Sequence, residues 1–94
     1  MSAKVVNIST QMTSHVWVDA GQGEIDFRYV VVGPRSGAEY GDFPAASGAP
    51  INVRWQFSED GNMQIATNVL GRGLSPGESV RLTLDATSAK ATNY

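Results

Sequence analysis

The stretch INVRWQFSEDGNMQIATNV, residues 51–69, decides the fold class. Apolar and polar side chains alternate on both sides of its centre, and this two-residue period is typical of β-strands with one buried face. Between the two halves lies Glu59-Asp60-Gly61, which has glycine where a three-residue hairpin loop needs a positive φ. The sequence therefore predicts an antiparallel β-hairpin over residues 51–69.

The register of this hairpin follows from the need for one apolar face. The predicted pairs are Phe57 with Met63, Trp55 with Ile65, Val53 with Thr67, and Ile51 with Val69. A slip of one residue would turn the apolar side chains of one strand towards solvent. We expect a core that contains Trp55, Phe57, Ile65, Val80, Leu82 and Ile25.

Further alternating segments predict strands over residues 4–12, 15–19, 24–32 and 79–85, the first of them at a sheet edge. Val30 and Val32 make the end of the third segment apolar on both faces, so we expect both faces to be covered there. With the hairpin, these segments give six strands and no convincing helix. Turn signals recur about every 8 to 12 residues, which favours an antiparallel β-sandwich made of a single domain, residues 1–94.

Two segments lack any period. Residues 33–50 contain four glycines and three prolines, which predicts a long loop, and loops of this length are more often functional than idle. Residues 86–94 end in polar side chains and are predicted to form a tail that is free or docked on a neighbour.

Charge and composition exclude several classes of protein. A net charge of −2 argues against a nucleic-acid-binding protein, which needs a basic surface. The chain has no cysteine for a disulfide or a thiolate zinc site. No apolar run approaches the roughly 20 residues of a membrane helix, so no membrane insertion is expected, and the N-terminus lacks the apolar core of a secretion signal.

No segment predicts a catalytic or metal centre. His15 is the only histidine, and nothing in the sequence brings partners to it. The segment Glu59-Asp60-Gly61-Asn62 is too short for a calcium loop and is explained by the turn. Asp19, Glu24 and Asp26 fit a solvated hairpin tip better than a cation site. We therefore expect no cofactor and no enzymatic activity.

The interface candidates are aromatic side chains placed outside the alternating core pattern. Trp17 lies on the polar parity of its strand, where an exposed indole needs a cover, and core packing under the long loop is an equally good explanation. Two more rings lie within the predicted loop beside charged residues, as in the centre and rim of an interface, although they could instead fold back onto the sandwich. The candidates are Tyr40, Phe43, Arg35, Glu39, Asp42 and Trp17.

The C-terminal part of the chain resembles a known family. Residues 53–84 run from a strand through an Asp-Gly turn and a second strand to Leu74-Ser75-Pro76-Gly77-Glu78-Ser79-Val80, which opens the last predicted strand. This third of the chain is similar to bacterial immunoglobulin-like domains of the adhesion-related (CARDB) type. The resemblance implies an immunoglobulin-like sandwich and a binding or spacer module.

The favoured function is that of a structural protein, assembled in the cytoplasm and exposed later in a virion, such as a phage head-decoration or tail component. The alternative is a protein- or glycan-binding immunoglobulin-like module of a secreted or cell-surface protein. Either function implies a protein partner or self-assembly.

Overall fold

The computed structural model describes residues 1–59 and 61–93, and for residues 34–36 it describes the backbone only. The described residues form strands and no helix, which confirms the predicted all-β class. The strands are β1 (Ser2–Asn7), β2 (His15–Asp19), β3 (Glu24–Asp26), β4 (Gly33–Tyr40), β5 (Asn52–Gln56), β6 (Gln64–Ala66), β7 (Ser79–Leu84) and β8 (Ala89–Asn93).

These strands form two four-stranded sheets, with orders β4-β1-β7-β8 and β3-β2-β5-β6. All neighbours are antiparallel except β1 and β7, which pair in parallel over six residues. The purely antiparallel prediction is therefore wrong at this pair. The prediction that the first strand lies at an edge is also wrong, because β1 has a neighbour on each side.

One core lies between the two sheets. The first sheet contributes side chains such as Val5 and Leu82, and the second contributes Val16, Val53 and Trp55, all fully buried. The Trp55 indole N–H donates a hydrogen bond to the Asp85 carbonyl, 3.1 Å away, and so links β5 to the end of β7. Of the predicted core, Trp55, Val80 and Leu82 are confirmed, while Ile25 and Phe57 are partly buried against it.

The hairpin over residues 51–69 forms, but its predicted register is wrong by one residue. Trp55 pairs with Gln64, and Arg54 pairs with Ile65. As a result Ile65 leaves the core and is 64% exposed.

An extra residue on the returning strand explains the shift. Asn68 adopts a φ of 50°, and its N–H donates to the side-chain oxygen of Asn52 at 3.0 Å. One residue later, the Val69 N–H donates to the Ile51 carbonyl at 3.0 Å, which is the partner that the predicted register gave it. A β-bulge of this kind changes the register on one side only.

The predicted loop over residues 33–50 is wrong in its first half, because β4 occupies Gly33–Tyr40 and pairs with β1. A Cβ atom on Gly37 would lie only 2.7 Å from the Val5 carbonyl oxygen, so glycine lets the two backbones approach. Proline is tolerated in this strand because β4 lies at the edge of its sheet. Glycine and proline here therefore belong to a strand.

The predicted tail is also wrong, because Ala89–Asn93 forms β8 and pairs with β7. Ala91 is buried in the core, and its N–H donates to the Val69 carbonyl at 3.2 Å. Alanine alternating with polar residues gives a strand only a weak apolar signal. Tyr94 lies outside the described residues.

The strand predicted over residues 24–32 ends early, at Asp26. The Asp26 carboxylate accepts hydrogen bonds from the backbone N–H groups of Val16 and Arg28, at 3.1 and 2.7 Å. Arg28 then adopts a φ of 57°, which ends the extended conformation. The expectation that both faces are covered near residue 32 is wrong, because Val31 and Val32 are exposed.

Candidate interaction surface

Phe43 does not lie on the surface. Its ring is 2% exposed and stacks on Phe27, with the ring centres 6.0 Å apart. The backbone N–H of Phe43 donates to the Met1 carbonyl at 2.8 Å. Phe43 therefore packs against the sandwich, which is the alternative that the sequence analysis left open for this ring.

The neighbours of Phe43 remain accessible. Tyr40 is 40% exposed and meets the Phe43 ring edge-on, with the centres 5.6 Å apart. Glu39 and Asp42 are exposed, and Glu39 lies 3.7 Å from the Lys4 ammonium. The side chain of Arg35 lies outside the described residues, so the predicted rim of charges is described only in part.

Trp17 lies on the outer face of the second sheet, where its own sheet covers part of the ring. His15 stacks on it, with the ring centres 4.7 Å apart and the planes 12° apart. The Arg54 guanidinium carbon lies 4.7 Å from the indole centre, and Arg54 also binds both carboxylate oxygens of Glu24, at 2.9 and 2.7 Å. These contacts cover the indole without the loop that the sequence analysis considered.

A group of exposed apolar side chains lies elsewhere, on residues 8–12 and 29–32. We call it the apolar patch, and it comprises Ile8, Met12, Tyr29, Val31 and Val32, which are between 39% and 60% exposed. The two segments are neighbours, because Asn7 forms a bridge with Val32. Exposed apolar side chains are common singly, and five of them on two neighbouring segments make this region a candidate interaction surface.

Asn7 fixes the first segment of the patch from beneath. It is fully buried, and its side-chain N–H groups donate to the carbonyls of Gln11 and Val30, at 2.8 and 3.0 Å. Its side-chain oxygen accepts hydrogen bonds from the N–H and the hydroxyl of Ser9, at 3.0 and 2.6 Å. One buried amide thus holds both segments in place.

Thr13 makes a second buried link between the same segments. Its hydroxyl donates to the Arg28 carbonyl at 2.7 Å and accepts from the Val30 N–H at 2.9 Å. Within the described residues, every buried side-chain nitrogen and oxygen has a hydrogen-bond partner. The backbone that carries the apolar patch is therefore held by a satisfied polar network.

The sequence analysis missed this surface although a signal was present. Tyr29-Val30-Val31-Val32 is a run of four apolar residues, and alternation along a strand accounts for only half of them. Val30 alone is buried. The run showed that apolar side chains exceed those that alternation buries, but a strand covered on both faces has the same pattern.

His15 forms a polar cluster with Asp26 and Glu59. Its Nδ1 lies 2.7 Å from a carboxylate oxygen of Asp26, and its Nε2 lies 3.2 Å from one of Glu59. The hydrogen bond with Asp26 is the main reason why the pKa of His15 is raised, and Glu59 adds to the effect. Burial tends to raise the pKa of Asp26, but the hydrogen bonds from His15 and two backbone amides outweigh it and lower that pKa.

Glu78 closes the turn before β7. Its carboxylate binds the Arg72 guanidinium through both oxygens and accepts the Ser75 N–H at 2.9 Å. The contact with Arg72 is the main reason why the pKa of Glu78 falls to about 2, and the Ser75 N–H contributes. Glu78, the glutamate of the Leu-Ser-Pro-Gly-Glu-Ser phrase, therefore uses both carboxylate oxygens in contacts that stabilise the turn.

No group of three or more His, Cys, Asp or Glu side chains that could hold a metal ion occurs among the described residues. A pocket of about 50 Å³ beside the turn at Ser75-Pro76-Gly77 is lined by small and apolar residues and by backbone.

In residues 1–59 and 61–93, no helix has the length and apolar character needed to span a membrane.

Comparisons with known proteins add no relative. No protein-family model matches the chain, and neither the curated proteins nor the solved structures contain a significant match. The functional argument therefore rests on the residues described above.

Proposed function

We propose that this chain is a non-enzymatic structural protein that acts by binding another protein surface, and that it is a virion component such as a phage head-decoration or tail protein. The observation that carries the proposal is the apolar patch. Water-exposed apolar area of this kind is unfavourable unless a partner covers it.

The side chains of the patch support protein binding rather than catalysis. Its five side chains are apolar or phenolic, and the hydroxyls and amides beneath them are all engaged in hydrogen bonds. A surface already held in one conformation loses little entropy when it binds, which favours affinity. Both ring nitrogens of His15 face carboxylates, and no serine or threonine hydroxyl is among its described side-chain hydrogen bonds.

A second candidate function is a protein- or glycan-binding immunoglobulin-like module of a secreted or cell-surface protein. One observation favours it: the Leu-Ser-Pro-Gly-Glu-Ser phrase forms a turn, with Gly77 at a φ of 71°, that leads directly into β7. The immunoglobulin-like form of the sandwich is part of the same proposal. Neighbouring genes distinguish the two candidates, because capsid and portal genes favour the virion and a secretion signal or further immunoglobulin-like repeats favour the module.

The direct experiment is to isolate particles from the source of the gene and to quantify this chain by mass spectrometry. We expect it in fixed proportion to the major capsid protein. Incorporation should fall when Tyr29→Ser and Val31→Ser are combined, whereas the control Ile65→Ser, on the second sheet, should be incorporated normally. Particles without the chain would contradict the proposed virion role.

A further inference from the structure

We propose that His15 is a pH-sensitive switch that holds the turn after β5 against the start of β2. The turn is held when the imidazole carries two protons, and the loss of one proton releases Glu59 and with it the turn. Among the described residues, this Glu59 turn comprises Ser58, Glu59 and Gly61. The switch lies on the charged outer face of the second sheet, so it depends neither on the apolar patch nor on the proposed function.

The His15 ring lies between two carboxylates from different parts of the chain. Its Nδ1 lies 2.7 Å from Asp26, the last residue of β3, and its Nε2 lies 3.2 and 3.3 Å from the two carboxylate oxygens of Glu59. An ionised carboxylate only accepts hydrogen bonds, whereas a neutral imidazole has one N–H group and an imidazolium has two. Both contacts are therefore hydrogen bonds only when both ring nitrogens are protonated.

When the ring becomes neutral, Glu59 rather than Asp26 loses its hydrogen bond. The Asp26 side chain is 22% exposed, and its carboxylate is also held by the backbone N–H groups of Val16 and Arg28. The Glu59 side chain is 69% exposed, and among the described residues its carboxylate has no hydrogen-bond donor other than His15. The remaining proton therefore stays on Nδ1, next to Asp26. The Nε2 lone pair then faces the Glu59 oxygens and repels them.

The charges around the ring favour its protonated form. The described charged residues on or beside this face are Asp19 on β2, Glu24 and Asp26 on β3, Arg28 after β3, Arg54 on β5 and Glu59 in the turn. Arg54 binds both carboxylate oxygens of Glu24, so these two charges largely cancel. Across the sheet, His15 pairs with the neutral Gln56. The hydrogen bond with Asp26 is the main reason why the pKa of His15 is raised, while burial acts against the rise.

The pH dependence has a definite direction. Because the pKa is raised above the ordinary 6.5, the turn is held below the raised value and is released as the pH rises through it. Few bonds oppose this movement, since the turn leads into β6, which has only three residues.

Hydrogen bonds within the turn do not depend on the imidazole proton. The Gln56 side-chain amide donates to the Gly61 carbonyl at 2.8 Å, and the Gly61 N–H donates to the Ser58 carbonyl at 3.0 Å. The released turn should therefore keep its own shape and lose its fixed position relative to β2.

The experiment is NMR of the full 94-residue chain across the titration of its single imidazole. The ring carbon shifts measure protonation, nuclear Overhauser effects between the His15 ring and the Glu59 side chain measure the contact, and ¹⁵N relaxation measures the order of the Glu59 and Gly61 amides. We expect the contact to be present below the midpoint and lost above it. The order of the two amides should fall with the same midpoint.

Glu59→Gln is the decisive variant. A carboxamide accepts a hydrogen bond from Nε2–H and donates one to a bare Nε2, so the turn should stay held on both sides of the midpoint. The midpoint itself should move down, because one anionic neighbour is lost. Glu39→Gln is the matched control, since Glu39 is a glutamate on β4 with a side chain that is 67% exposed, and it should leave both the midpoint and the turn as in wild type.

Melting temperatures show whether the variants fold. A wild-type turn whose amides keep the same order through the imidazole midpoint would overturn the proposal. A Glu59→Gln turn that is released at the same pH as the wild-type turn would also overturn it, because the release would then have a cause other than the pairing of His15 with Glu59.

Discussion

The apolar patch and the outer face of the second sheet have opposite arrangements of polar and apolar groups. Under the patch, polar side chains such as Asn7 and Thr13 are buried, and apolar side chains face solvent. On the sheet, Trp55 and Val53 are buried while His15 and Arg54 face outwards. On the sheet face, stacking and ion pairing cover Trp17, although Ile65 is 64% exposed beside Arg54. The patch has five exposed apolar side chains and no such covering contacts among those described. This difference is the reason why the proposed function assigns the partner to the patch and not to the charged face.

The largest expected effect concerns the two sides of the second sheet. Trp55→Ala should lower the free energy of unfolding by about 3 to 5 kcal/mol, because it leaves a large cavity in a packed core. A small domain has only about 5 to 15 kcal/mol in total. Trp17→Ala, on the outer face of the same sheet, should lower it by about 1 kcal/mol.

Urea unfolding followed by far-ultraviolet circular dichroism measures both variants, because this signal comes from the backbone and not from the tryptophan that is removed. Equal losses for the two variants would show that the outer face is as important to the fold as the core, and the comparison would fail.

The next effect concerns the polar groups beneath the patch. Asn7→Ala should lower the free energy of unfolding by about 2 to 4 kcal/mol, because it removes partners from the buried Ser9 N–H and Val30 carbonyl and from the partly buried Gln11 carbonyl. Asn62→Ala is the control, since Asn62 is exposed, and it should change stability by less than about 0.5 kcal/mol. Urea unfolding that gives similar values for both would mean that the network does not hold the patch.

The smallest effect separates the two regions by pH. The pKa of His15 is raised in the folded chain above its ordinary value of 6.5, chiefly by the hydrogen bond with Asp26. Its contribution to stability is therefore complete below pH 6.5 and is lost as the pH rises through the folded pKa. The stability advantage of wild type over His15→Asn should decrease over that range. Binding of a protein to the patch should not change, because residues 8–12 and 29–32 contain no side chain that titrates in this range.

NMR titration of the single imidazole is the direct measurement. The midpoint should lie above 6.5 in wild type and move down in Asp26→Asn. A midpoint at or below 6.5 would contradict the ion-paired geometry of the outer face.

The sequence predicted the strands whose large apolar side chains alternate. β2, β5 and β7 each bury valine, leucine or tryptophan at every second position, and their two-residue period is visible without a structure. β4 and β8 were missed because they contain glycine, proline and alanine, whose small side chains leave no such period. Backbone pairing with β1 and β7 holds β4 and β8 in the sheet, and side-chain alternation does not predict such pairing.

The errors at the candidate sites have a related cause. The hairpin register depends on one positive φ at Asn68, which the alternation does not reveal. Phe43 and Val31 are both apolar, yet one is buried and the other exposed. Whether such a side chain is buried depends on how strands that are distant in the sequence pack together, and local patterns do not contain that information.

The parallel pairing of β1 with β7 has a consequence for how the chain folds. Residues 2–7 lie between β4 and β7 in the first sheet, and their partners in β7 are residues 79–84. During synthesis, β1 therefore cannot pair with β7 until almost the whole chain has emerged. Contacts of such large sequence separation slow folding, because the entropy of a long loop is lost before they form. Until then a strand with buried valines stays open to other chains, so crowding of nascent chains should favour misassembly at this strand.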